Sequence, residues 1–72
     1  MPLIQVKSLE GVFTPAQRKE IISKFTDAIV AIEGEHVRAV TWVVFEEVRS
    51  GQWGIGGKAI TTDEVRALVA GK

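Results

Sequence analysis

Hydrophobic and polar positions, with glycine punctuation, divide the chain into five patterned stretches. From Pro2 to Ser8 the pattern alternates: Pro2, Ile4 and Val6 share one face and Leu3, Gln5 and Lys7 the other, which predicts a strand. Proline is accepted at a strand's first position, where no ladder donor is required. After the connection Leu9-Glu10-Gly11-Val12-Phe13, Thr14 offers an N-cap hydroxyl and Pro15 suits a first helical turn. Ile21, Ile22, Phe25, Ala28, Ile29 and Ile32 then recur at spacings of three and four, the signature of a helix with one apolar stripe. Glu20 and Lys24 are placed for an i,i+4 pair, and Gly34 can end the helix in a left-handed C′ conformation.

A polar link from Glu35 to Arg38 leads into Ala39-Val40-Thr41-Trp42-Val43-Val44-Phe45, a β-branched and aromatic run without alternation. Such a run predicts a strand covered on both faces. Strand, helix of about five turns and strand make a β-α-β unit, with a right-handed crossover and parallel strands. One helix covers only one face of that sheet, so the second face calls for a cover from outside the unit. Gly51-Gln52-Trp53-Gly54-Ile55-Gly56-Gly57 predicts a tight hairpin. Thr61, with Glu64 three residues on, predicts a capped short helix through Val69.

Residues 1–72 form one α/β domain on this reading, and a domain this small buries only about 60% of the surface its unfolded chain exposes. Disulfides, metals or other copies usually support such a fold. The chain has no cysteine and a single histidine, His36, so a metal site and thiol chemistry fall away and association with other copies remains. Apolar residues at 46% against 25% charged agree with that. Nine basic and nine acidic residues cancel, which argues against a nucleic-acid partner. No apolar stretch approaches the roughly 20 residues of a membrane span, and no secretory-signal layout opens the chain, so a cytoplasmic location is expected.

Pro2 stands directly after Met1. If the methionine is removed, Pro2 becomes a secondary amine, a base or nucleophile that no side chain supplies. With Met1 attached, the same nitrogen is an amide without basicity.

Met1-Pro2-Leu3-Ile4, Leu9-Glu10-Gly11 and Trp53-Gly54-Ile55-Gly56-Gly57, in this order and at these separations, resemble the 4-oxalocrotonate tautomerases, the short-chain members of the tautomerase superfamily, over nearly the full length. The resemblance implies a β-α-β unit with a C-terminal hairpin, assembled as a homo-oligomer, usually a hexamer. It implies a cofactor-free enzyme in which Pro2 catalyses keto-enol tautomerisation of a 2-oxo acid enol or dienol, with Trp53 as the aromatic residue beside the catalytic proline. Two arginines that hold substrate carboxylates in the family correspond here to Val12 and Trp42, neither of which can pair with an anion. A substrate with fewer carboxylates than the family norm is therefore expected. Arg38, read as sharing strand parity with Trp42, is the first candidate for a replacement anion contact; Lys7, on the face opposite Pro2, is a weaker one. Ile55 occupies the region where relatives that hydrate haloacrylates carry a glutamate, leaving water activation without an agent. A Pro2-dependent decarboxylation, dehalogenation or carbon-carbon bond step is an alternative. So is a non-catalytic subunit in a mixed assembly whose arginines come from another chain.

A base that takes a proton at one atom and returns it at another works best with a pKa near the working pH. An α-amino group starts near about 8, and an apolar pocket lowers it by disfavouring the ammonium form.

Overall fold

Strand β1 (Leu3–Leu9) and strand β2 (Trp42–Val48) pair in parallel, with Leu3 opposite Trp42, Val6 opposite Phe45 and Leu9 opposite Val48. The structure, a computed structural model, describes residues 1–71. Helix α1 (Pro15–Glu33) makes the crossover. Its start is a full capping box: Thr14 Oγ1 accepts from Gln17 N–H at 3.1 Å, and Gln17 Oε1 accepts from Thr14 N–H at 2.9 Å. Its end is at Gly34, whose N–H donates to Val30 O. With φ 109° and ψ 159°, Gly34 lies outside the left-handed helical region expected of it but still at a positive φ that favours glycine.

Strand β3 (Trp53–Ile55) and strand β4 (Lys58–Ile60) form a separate antiparallel hairpin. Gly56 and Gly57, at φ 58° and 82°, make its two-residue turn, where positive φ at both positions matches the twist of the flanking strands. Helix α2 (Thr62–Ala70) follows, capped by Thr61, whose hydroxyl accepts from Glu64 N–H at 3.3 Å.

The segment expected to be a polar link and the opening of a strand is instead a 3₁₀ helix over Glu35–Val40. Arg38 is therefore in a helical turn and does not share strand parity with Trp42. Its Nε donates to Glu35 at 2.7 Å and its Nη1 to Asp27 at 2.8 Å, which ties the turn back to α1. Thr41 closes the turn by donating its hydroxyl to Val37 O at 2.8 Å.

Val43 and Phe45, with Ile4 and Val6, are half-buried on the sheet face that meets α1, where the Phe13 ring meets Phe45 edge-on at 6.0 Å. The opposite face is open: Leu3 is 56% exposed and Trp42 58%. The apolar stripe of α1 is also wider than the sheet covers, leaving Phe25 and Ile32 outside. Leu9, 5% exposed, is the one buried hydrophobic residue among those described. The radius of gyration is 14.8 Å, against about 11 Å for a compact domain of this length. A single copy thus leaves eleven large hydrophobic side chains exposed among the described residues.

Candidate functional site

The fold gathers a groove at the C-terminal end of β1. Lys7, Ser8 and Leu9 form one wall, Trp53, Ile55 and Ile60 of the hairpin the other, and Val65 of α2 closes it; the cavity is about 220 Å³. Its lining is apolar except for Lys7 and Ser8. Lys7 takes part in no ion pair or side-chain hydrogen bond among the described residues, although Glu46 is its register partner across the ladder.

A polar network fixes the hairpin and α2 against the loop after β1, and so sets the groove's width. Glu10 N–H donates to Val48 O at 2.7 Å, carrying the ladder one rung past Leu9. The Glu10 carboxylate accepts from Ser50 N–H at 2.9 Å, and Thr62 donates its hydroxyl to Glu10 O at 2.7 Å. Arg66 of α2 donates to Gly11 O through Nε at 3.0 Å and Nη2 at 2.7 Å. Gly11 is required here: its φ is +73°, and a Cβ on it would meet Arg66 Nη2 at 3.0 Å. From the other side Arg18 of α1 donates to Phe13 O at 3.0 Å and pairs with Glu47 at 3.5 Å, while Glu47 accepts from Gly11 N–H at 3.2 Å.

Pro2 lies at the opposite end of β1. It is half-buried, and its carbonyl accepts from Trp42 N–H at 3.0 Å. Five to seven residues separate it from the groove-lining part of β1, about 16–23 Å at the rise of an extended strand. The candidates named from sequence therefore fall into two groups. Pro2 and Trp42 are neighbours at the start of the sheet; Trp53 and the half-buried Val12 are at its far end. Within one chain Trp53 is not beside Pro2, so a site that holds both draws them from different copies. Arg38 belongs to neither group: it is engaged by Asp27 and Glu35, and hydrogen bonding and charge from Arg38 lower the Glu35 pKa below its ordinary value. Lys7, placed second to Arg38 by sequence, lines the groove instead. Ile60 and Val65 were not singled out at all. The topology contained that signal, because whatever follows β2 in a parallel pair emerges at the same end as whatever follows β1.

Residues 2–63 match the family model described as tautomerase enzyme. The chain belongs to the tautomerase family. It is 33% identical over 61 residues to Probable tautomerase K2 of Dickeya dadantii (strain 3937), covering 85% of this chain and 90% of that protein. A probable tautomerase of Staphylococcus aureus (strain Mu50 / ATCC 700699) is 37% identical over 57 residues, covering 79% and 90%. Among solved structures, a 4-oxalocrotonate tautomerase homologue superposes with a TM-score of 0.72 at 30% identity, over 82% of this chain and 90% of that one. The β-α-β unit with its C-terminal hairpin is thus a tautomerase fold, and the protein is an isomerase of tautomerase type.

Among the described residues no three His, Cys, Asp or Glu side chains cluster closely enough to hold a metal ion, and no helix is long and apolar enough to cross a membrane.

Proposed function

We propose that this tautomerase acts without a cofactor on the enol or dienol of a 2-oxo acid, and that the Pro2 amine, uncapped by loss of Met1, carries the proton. The observation behind this reading is the separation along β1 of a binding groove from a base. The groove has apolar walls and an indole, but no carboxylate or imidazole lines it. Its ionisable member is Lys7, whose ammonium can only donate. Pro2, at the far end, offers the amine but lines neither this groove nor the cleft beside Phe13 and Ile21.

The two halves meet when the Pro2 end of one copy seats against the groove of another. A two-fold pair makes such a contact twice, once in each direction, and larger closed assemblies repeat it. A homo-oligomer, a hexamer by the family pattern, is the assembly this supports, and the open sheet face with Leu3, Trp42 and Val44 is apolar surface that it covers. Desolvation in such a crevice lowers the amine pKa toward neutrality, and the Lys7 ammonium on the groove wall acts in the same direction. The same reading places the enzyme in the cytoplasm, which a chain without cysteine permits.

Two measurements test it. Intact mass of the purified protein is expected to be short by one methionine. Pro2→Ala, which puts a flexible primary amine in place of the ring-held secondary one, is expected to slow ketonisation of phenylenolpyruvate by about 100-fold, the low end of what a positioned acid-base group contributes. Equal rates in the two proteins would eliminate the proline mechanism.

A further inference from the structure

We infer that Lys7 is the anion-holding residue of the groove, and that the groove takes an aromatic or branched apolar acid bearing a single carboxylate. The choice of acid rests on the tautomerase reading above; the residue and the charge count rest on the groove itself.

The three arginines nearest in role are already engaged. Arg18 is held by Phe13 O and Glu47, Arg38 by Asp27 and Glu35, and Arg66 gives two of its nitrogens to Gly11 O. Lys7 differs from all of them. It lies on the groove wall across from Trp53 and Ile55, and makes no ion pair or side-chain hydrogen bond among the described residues. An ammonium at the edge of an apolar cavity is a point charge with its donors free, suited to one carboxylate and without the planar fork that would grip two oxygens in fixed geometry. With no second cation lining the cavity, a dicarboxylate would leave one charge against Trp53, Ile55, Ile60 or Val65, where burial of an unpaired ion is costly. The indole face and the aliphatic walls favour an aromatic or branched carbon chain.

This also reverses the objection that Lys7 faces away from Pro2. If the amine arrives from another copy, the face of β1 that matters is the one carrying Lys7 and Leu9, not the one carrying Pro2.

The test is a titration of the full-length protein with 3-phenylpropanoate, which has no oxo group to react, followed by NMR at the Trp53 indole. Lys7→Met is expected to weaken binding about tenfold, the scale of one charge-assisted hydrogen bond. Lys7→Arg is expected to retain binding, and the uncharged 3-phenylpropanamide to bind both variants and the parent alike. Undiminished affinity of Lys7→Met for the acid, an equal loss for the amide, or no binding of the acid by the parent would each overturn the assignment. The readout needs no catalysis, so it is decided separately from the Pro2→Ala comparison.

Discussion

Two crippled variants are expected to repair one another. Pro2→Ala replaces the secondary amine with a primary one free of the ring's placement and leaves the groove intact; Trp53→Ala removes the groove's aromatic wall and leaves the prolyl amine intact. The ends of β1 that carry these two features are about 16–23 Å apart at the rise of an extended strand, too far for one small enol to touch both in the same chain. Each working site must then draw its halves from two copies. When equal amounts of the variants are unfolded together and refolded, half of the chains contribute an intact Pro2 and half an intact groove, so about one quarter of the sites shared between two chains are wild type at both. Phenylenolpyruvate ketonisation by the mixture should accordingly approach a quarter of the parent rate, well above either variant refolded alone. A mixture no faster than the average of the separate variants would show that Pro2 and Trp53 do not serve one site from different chains. Native mass spectrometry on the same sample establishes that mixed assemblies formed.

Thr14→Ala removes the hydroxyl that receives Gln17 N–H at 3.1 Å, and a lost N-cap of this kind should lower stability by about 1 kcal/mol in denaturant unfolding, with Thr14→Ser close to the parent. The Glu35 carboxyl, lowered from its ordinary 4.5 first by the Arg38 hydrogen bond and then by its charge, stabilises the 3₁₀ turn fully above that ordinary value and loses its contribution as pH falls through the lowered one. An NMR titration should find Glu35 titrating below the free value, and Arg38→Met should return it there; an unchanged midpoint in that variant would remove Arg38 as the cause.

Periodicity and punctuation carried most of the fold. The alternation of Ile4 and Val6, the three-and-four spacing from Ile21 to Ile32, and the Gly56-Gly57 pair each have one local structure that suits them, and that structure formed. The capping partner at Gln17 was equally readable, since Thr14-x-x-Gln17 has the box spacing. Glu35–Val40 was not readable in the same way. Ala39 and Val40 continue an apolar run into β2, and what curls them into a 3₁₀ turn is a tertiary tie, Arg38 reaching back eleven residues to Asp27. Site residues followed the same division. Pro2 and Trp53 could be named from motif and composition, but their separation depends on which end of a parallel sheet each occupies. Lys7 was discounted because its face was compared with Pro2 of its own chain, a comparison that fails when a site is shared between copies.

The rung between Pro2 O and Trp42 N–H, 3.0 Å long, has a bearing on maturation. Proline never had an N–H to give the ladder, so its hold on β2 passes wholly through the carbonyl, on the side of the residue away from Met1. Hydrolysis of the Met1–Pro2 bond therefore creates an amine without costing the sheet a single backbone hydrogen bond. Precursor and trimmed chain can share one scaffold, and under the proposed mechanism trimming would be a chemical arming step laid over a finished fold.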